Sequence, residues 1–217
     1  MSPIKHQSKT SLNKPNLVWV DQHDRVVGEG NLILTHTIPA RLHRAISVFY
    51  FRLKAGRVEL LCQQRSATKI VAAGQWANTT CGNVWVNESF VACAKRRLKD
   101  ELGLEGVTLN PLLKFHYQVD CNEKYGENEL DQLFAAITDD HDILVEPNPI
   151  EVERTAWLDW WELRKAFSNR QPMKYSGGVI NMSLNIDGKK EKLTLAPWFE
   201  IMMSKKEIID RLNRLFA

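Results

Sequence analysis

A charged stretch in the middle of the chain, CAKRRLKDELG at residues 93–103, carries side chains that could do phosphate chemistry. Carboxylates on one helix face can hold divalent metals, which polarise a phosphoanhydride and activate water. An arginine there cannot bind a cation, but its guanidinium fork suits two oxygens of an intact diphosphate. A four-residue step puts Arg97 and Glu101 on one face, where an arginine and a carboxylate-held magnesium could hold the same anion. The alternative is ordinary surface ion pairs, Arg96 with Asp100 and Arg97 with Glu101.

Two histidines and two glutamates form a second group of candidate ligands. His36 and His43 lie in HTIPARLH, where Pro39 rules out one straight helix, so a turn must bring the imidazoles together. Glu127 and Glu129 are two residues apart, and in a strand both carboxylates point to one face. If that face is buried, the like charges require a cation or a shared proton. The four side chains suit Mn2+, Zn2+ or Mg2+. The alternatives are surface histidines and a solvated strand face.

A single cysteine lies beside the charged stretch. Cys81 in NTTCGNV directly precedes Gly82, so it should lie near any phosphate-binding helix that follows. A thiol can donate a proton, although most lone cysteines are buried and inert. Its position makes Cys81 a candidate reagent.

The elements that must position these residues predict an α+β fold. A helix is predicted over ESFVACAKRRLKDELG, with apolar residues at 91, 94, 98 and 102, Asn87 as N-cap and Gly103 as C-cap. NLVWVDQHDRVVGEG predicts an opening hairpin. Further strands are predicted in RAISVFYFRL, RVELLCQQR, LLKFHYQVD, NELDQLFAAIT and ERTAWLDW, and helices in WWELRKAFSN and from APWFEIM onward. An Asp-Gly turn predicts an inserted hairpin near residues 175–192.

Composition limits the possible partners and the cellular compartment. The chain has 217 residues, 44% of them hydrophobic, which fits one domain over residues 17–217 after a polar segment, 1–16, that we expect to be disordered. The net charge of +3 and the absence of long basic runs argue against nucleic acid and fit a small anionic substrate. Without an 18-residue apolar window or a CxxC pair, we expect no membrane span and a reduced, cytoplasmic protein. We expect a monomer or a weak homodimer.

The charged stretch belongs to a longer pattern that resembles the Nudix box, Gx5Ex7REUxEExGU. Gly82, Glu88, Arg96 and Glu101 keep the spacing and identity of the box, and Gly103 ends it. Hydrolytic members gather divalent metals with glutamates of this helix. Here Arg97 and Asp100 replace two of those glutamates, which favours binding a diphosphate over cleaving it.

Several motifs together resemble one family, the type 1 isopentenyl diphosphate isomerases. The motifs are LHRAISVF, QQRSATK, NTTCG, RRLKDELG, YGENELD and APWF, and they cover about residues 36–199 in the family's order. The resemblance implies a Nudix scaffold, a mixed sheet flanked by helices. It also implies metal-dependent interconversion of isopentenyl and dimethylallyl diphosphates through a tertiary carbocation.

The resemblance also implies roles for individual residues. Cys81 and Glu129 become the proton-transferring pair, with Tyr117 beside them. The implied ligands of the first metal are His36, His43, Glu127 and Glu129; Arg65, Lys69 and Arg97 contact diphosphate; Glu101 helps to hold Mg2+; Tyr117 and Trp198 line the prenyl pocket. An indole face tolerates a nearby carbocation, although a tryptophan is more often simply part of the core.

One departure from the family pattern affects the metal site. The family usually has a histidine two residues after the cysteine as a further ligand, and this chain has Asn83. An amide oxygen is a weaker and harder ligand, which should shift preference from zinc towards manganese or magnesium. Three hypotheses remain open: an isoprenoid isomerase, a Nudix hydrolase of a diphosphate compound, and a prenyl-diphosphate-binding homologue that has lost catalysis through Asn83.

Overall fold

The computed structural model describes residues 15–139, 142–168, 180–186 and 189–216. Eleven strands in these ranges form one mixed sheet. The strands are β1 (Leu17–Val20), β2 (Val26–Gly30), β3 (His43–Lys54), β4 (Arg57–Arg65), β5 (Trp76–Ala77), β6 (Thr80–Asn83), β7 (Asn110–Asp120), β8 (Gly126–Thr138), β9 (Val152–Asp159), β10 (Ile180–Ile186) and β11 (Lys189–Leu195). The helices are α1 (Leu32–His36), α2 (Phe90–Leu102), α3 (Trp160–Ser168), α4 (Pro197–Ser204) and α5 (Lys206–Asn213), and a 3-10 turn covers Arg214–Phe216.

The long strand β3 is the centre of the sheet. It pairs antiparallel with β4 and β6 and parallel with β8, while β7 and β9 extend the sheet from β8 and β4. Residues 45–51 of β3 are buried without interruption, since side chains cover both faces of the strand. On one face, Ile46 and Val48 pack with the buried side of α2. On the other, Phe49 and Phe51 pack with α3, α4 and α5.

Helix α2 forms as its periodicity predicts, with two corrections. Gly103 closes it with φ 69°, the left-handed conformation that glycine adopts easily. The N-cap is Ser89, whose hydroxyl accepts a hydrogen bond from the Ala92 amide at 3.1 Å, so the expectation of Asn87 is wrong. Asn87 belongs to the preceding turn, with φ 65°. The sequence predicts Val91 in the core, but Val91 is 43% exposed and Cys93 is buried instead.

The remaining elements confirm the predicted α+β architecture, a mixed sheet flanked by helices, with local differences. The opening hairpin is β1 with β2, and the inserted hairpin is β10 with β11, reaching Leu195; residues 175–179 and 187–188 lie outside the described residues. The sequence predicted neither α1 nor β5, which are too short for clear periodicity, and the final helix is two helices, α4 and α5. Of the expected disordered segment 1–16, residues 1–14 lie outside the described residues. No helix in the described ranges combines the length and apolar character that a membrane crossing needs.

Candidate functional site

Neighbouring strands bring several of the predicted site residues to one face of the sheet. His43 at the start of β3 lies opposite Glu129 of β8, and Glu129 in turn lies opposite Tyr117 of β7. His36 ends the short helix α1, so the chain reverses before β3 and returns to the same place. The turn that Pro39 predicted therefore brings the two histidines together, with ring centroids 4.9 Å apart.

His36, His43, Glu127 and Glu129 form a buried candidate metal site, here named the His/Glu cluster. One potential ligand atom from each lies within 4.8 Å of all the others. His36 Nε2 is 3.0 Å from Glu127 Oε2, and His43 Nε2 is 3.6 Å from Glu129 Oε1. The Nδ1 atom of His36 lies 2.8 Å from the Leu32 carbonyl, and that of His43 lies 2.7 Å from the Arg41 carbonyl. Each Nδ1–H can donate a hydrogen bond to its carbonyl. Such donation points both Nε2 atoms at the carboxylates, the usual orientation of ligating histidines.

The electrostatics of the His/Glu cluster favour a bound cation. Burial and the charge of Glu127 raise the pKa of Glu129, because two buried carboxylates repel one another. Burial lowers the pKa of His36, but the Glu127 charge outweighs this and raises it to about 9. The Oε2 atom of Glu127 faces the His36 Nε2 atom at 3.0 Å. Two imidazoles and two buried carboxylates at this spacing fit a divalent metal ion.

Asn83 borders the His/Glu cluster from β6. Its Oδ1 atom lies 3.0 Å from His43 Nε2. Its main-chain carbonyl accepts hydrogen bonds from Arg96 at 3.2 Å and from the Cys93 thiol at 3.3 Å, which hold this end of β6 against α2. An amide oxygen is thus next to the imidazole nitrogen that would bind a metal.

Cys81 lies on β6, opposite Ser47 of β3. Its sulfur is 3.4 Å from Ser47 Oγ and 3.1 Å from Asn78 Oδ1, and Ser47 Oγ donates a 2.6 Å hydrogen bond to Asp131. Burial, with the charges of Asp131 and Glu129, raises the pKa of the Cys81 thiol, so the thiol stays protonated at neutral pH. Sequence reasoning missed Ser47 and Asp131. The alternation 127, 129, 131 along β8 could have revealed Asp131.

Aromatic side chains border the carboxylate and the basic residues. The Tyr117 hydroxyl donates a 2.5 Å hydrogen bond to Glu129. Trp198 is 3% exposed, and its Nε1 has no hydrogen-bond partner among the described residues. The guanidinium of Arg65 lies 4.9 Å from the Trp198 ring centre, and its Nη2 donates to the Val71 carbonyl at 3.1 Å.

Lys69, Arg97, Glu101 and Glu151 form a second, largely buried group, here named the Lys/Arg cluster. Arg97 donates to Glu101 and, at 3.1 Å, to Glu151, while Lys69 donates to Glu151 and lies 3.6 Å from Glu101. The alternative of a surface ion pair is therefore wrong for Arg97, whose partner Glu101 is completely buried. Arg96, in contrast, binds Glu88 at 2.6 Å and only approaches the exposed Asp100 at 3.9 Å.

Glu101 belongs to the Lys/Arg cluster and not to the His/Glu cluster. Gln63 donates to it at 2.9 Å and Thr80 also donates to it. Burial alone would raise its pKa, but the charges of Arg97 and Lys69 lower it, so Glu101 is ionised. The Arg97 side chain crosses Gly82 so closely that a Cβ there would lie 2.5 Å from Arg97 Cγ. Sequence reasoning missed Glu151, which lies outside every motif.

Comparison with solved structures supports the fold. The chain resembles a protein from Deinococcus radiodurans, with a TM-score of 0.54 and 18% identity over 73% of this chain and 92% of that one. It resembles a MutT/nudix family protein from Enterococcus faecalis with the same TM-score and 15% identity, over 81% of this chain and 61% of that one.

Comparison with known sequences identifies the family. Residues 41–175 match the NUDIX domain family. The chain is 32% identical to isopentenyl-diphosphate Delta-isomerase I of Clarkia breweri over 205 residues, 86% of this chain and 64% of that protein. It therefore spans less than two thirds of that relative. Isopentenyl-diphosphate Delta-isomerase 1 of Aromatoleum aromaticum is 36% identical over 160 residues, 74% of this chain and 85% of that protein. The chain belongs to the NUDIX domain family and, within it, to the isopentenyl-diphosphate Delta-isomerases.

Proposed function

We propose that this protein interconverts isopentenyl and dimethylallyl diphosphates. The observation that carries the proposal is the shared sheet face of Cys81 and Glu129, beside the buried His/Glu cluster. The reaction adds a proton to the terminal methylene carbon of the alkene, which leaves a tertiary carbocation, and removes a proton from the neighbouring methylene. Because one proton enters and one leaves, the reaction needs a donor and an acceptor but no oxidant.

Cys81 and Glu129 are the proposed donor and acceptor. Burial keeps Cys81 as a thiol, the form that can donate a proton. Glu129 is held by the Tyr117 hydroxyl, which fixes the direction of the carboxylate and gives Tyr117 its catalytic role. The buried side of the sheet excludes water, which would otherwise capture the cation. The Trp198 and Tyr117 rings line the proposed prenyl pocket and stabilise positive charge through their faces.

His36, His43, Glu127 and Glu129 would hold a divalent ion, Mn2+, Zn2+ or Mg2+, with Asn83 as a further oxygen ligand. A bound ion would supply fixed positive charge that keeps the paired carboxylates ionised. The four residues fit this role because their charges are buried and close together. Asn83 is included because its amide oxygen adjoins His43 Nε2.

Arg65, Lys69 and Arg97 are the proposed ligands of the diphosphate, and Glu101 is the proposed ligand of its Mg2+. Arg97 has one buried nitrogen, Nε, without a hydrogen-bond partner among the described residues, so it can still donate to a phosphate oxygen. A diphosphate held by arginine and lysine stays intact, because the proton transfers occur at the other end of the substrate.

An isomerisation assay tests the proposed function. Purified protein with Mg2+ and Mn2+ should convert isopentenyl diphosphate to dimethylallyl diphosphate without releasing phosphate, which NMR and a phosphate assay would follow together. Phosphate release without isomer would instead establish a hydrolase. Binding without either product would indicate a homologue that has lost catalysis.

The assembly, location and domain organisation stay predictions. We expect a monomer or a weak homodimer, a single domain over residues 17–217 and a cytoplasmic protein. One relative, isopentenyl-diphosphate Delta-isomerase II of Arabidopsis thaliana, is named as chloroplastic, which makes the chloroplast the alternative location to test. Sedimentation analysis and imaging of the tagged protein would test the first and last expectations.

A further inference from the structure

The two carboxylates of the Lys/Arg cluster differ in their exposure to solvent. Glu101 has a side chain that is 1% exposed, and Gln63 and Thr80 fix it from the sheet. Glu151 has a side chain that is 14% exposed, and its described ion pairs are with Lys69 and Arg97. Glu101 is therefore part of the floor of the cluster, whereas Glu151 lies at its edge, towards solvent.

Backbone hydrogen bonds hold Glu151 beside the two cations, Lys69 and Arg97. Its amide donates to the Asn148 carbonyl at 2.9 Å, and its own carbonyl accepts from the Ser66 amide at 3.1 Å. Asn148 in turn donates to the Glu101 carbonyl at the end of α2, and Thr68 donates to the Ile150 carbonyl. The loop that carries Glu151 is thus tied both to α2 and to the loop that carries Lys69. Its carboxylate is held there by the fold and not by chance contact.

We propose that Glu151 is an internal counter-anion that occupies Lys69 and Arg97 until a diphosphate takes its place. This inference rests on the proposed function, which assigns the same two cations to the substrate. An incoming diphosphate must displace the Glu151 carboxylate or bind beside it, and in both cases the negative charge of Glu151 opposes binding. Glu151 is therefore a positioning residue that sets the affinity for the anion. It stabilises the free protein at the expense of substrate binding.

Calorimetric titration of the full chain with inorganic diphosphate tests this inference. Glu151→Gln removes the charge and keeps the shape, and we expect it to bind diphosphate about tenfold more tightly than the wild type, which is ~1.4 kcal/mol. Its thermal midpoint without ligand should be lower, because Lys69 and Arg97 each lose one of their two acidic partners. A residue with only a structural role would lower the midpoint without this gain. In the isomerisation assay the variant should show a lower KM.

Glu153→Gln is the matched control, because it removes the same charge from an exposed glutamate two residues away. An equal gain in affinity in Glu153→Gln would overturn the proposal, as would unchanged or weaker binding by Glu151→Gln. The titration is done with and without Mg2+. If Glu151→Gln binds diphosphate more weakly than the wild type only when Mg2+ is present, Glu151 is a metal ligand and the proposal is overturned. Lys69→Met separates the two proposals. If Lys69→Met binds diphosphate as tightly as the wild type, the proposed diphosphate site is wrong. If Lys69→Met weakens diphosphate binding while Glu151→Gln leaves it unchanged, only the proposed role of Glu151 is wrong.

Discussion

The His/Glu cluster and the Lys/Arg cluster each contain two glutamates, but the two clusters suit ligands of opposite charge. In the first, two glutamates face two imidazoles, and burial with mutual repulsion raises the pKa of Glu129. In the second, two glutamates face a lysine and an arginine, and the pKa of Glu101 is lowered although it is completely buried. The first group therefore attracts a cation, and the second already carries its own cations and can accept an anion. The comparison teaches that the partner, and not the acid, determines what a buried carboxylate does.

The two clusters also lie on different secondary-structure elements. The His/Glu cluster is built from strands β3 and β8 and the end of α1, on the face that packs against the C-terminal helices. The Lys/Arg cluster is built from α2 and the loops beside β4 and β9. If the clusters act on opposite ends of one substrate, damage to one should leave the ligand affinity of the other largely intact, since distant sites are usually additive.

The largest expected effect comes from Glu129→Gln. Removing the proposed proton acceptor should lower kcat of isomerisation by about 10³-fold, because general base catalysis contributes on this order. The affinity for inorganic diphosphate should stay near that of the wild type. Glu123→Gln, which changes an exposed glutamate close by, is the control and should keep full activity. A Glu129→Gln enzyme with normal turnover would break the assignment of the His/Glu cluster to proton transfer.

A smaller effect is expected from Arg97→Met. It leaves Glu101 and Glu151 with one cation fewer, so diphosphate affinity should fall about 100-fold and the free energy of unfolding by about 3 kcal/mol. Calorimetry and urea denaturation measure the two quantities. The affinity of the His/Glu cluster for Mn2+ should not change. Lys95→Met, on the exposed side of the same helix, should alter neither quantity, and a similar loss there would point to general charge effects.

The smallest expected effect comes from Asn83→His. An imidazole beside His43 should tighten Zn2+ or Mn2+ binding about tenfold, because a nitrogen ligand replaces an amide oxygen. Competition with a chelating dye gives this affinity without reference to catalysis. Diphosphate binding in the absence of metal should be unchanged. An unaltered metal affinity would place the residue 83 side chain outside the coordination sphere and sharpen the His/Glu cluster to four ligands.

Much of the fold was predictable because its signals are local. Helix α2 follows from the apolar spacing of Ala94, Leu98 and Leu102, and its end follows from one glycine that adopts a left-handed conformation at little cost. The long strands follow from alternating or continuous apolar runs. The sequence does not identify the N-cap, because several polar residues before a helix can cap it, and only the hydrogen bond of Ser89 shows that it is Ser89 and not Asn87.

The sequence by itself determined the residue types: the histidine and glutamate pairs, the arginine in the box, the thiol before Gly82 and the family to which they belong. Only the tertiary structure decided which charges meet. It buried Arg97 against Glu101, joined Glu151 to both cations and linked Cys81 to Asp131 through Ser47. The physical reason is that periodicity and capping act between residues a few positions apart. The pairing of charges between elements depends instead on contacts between segments far apart in the sequence, such as Arg97 with Glu151 at a separation of 54 residues.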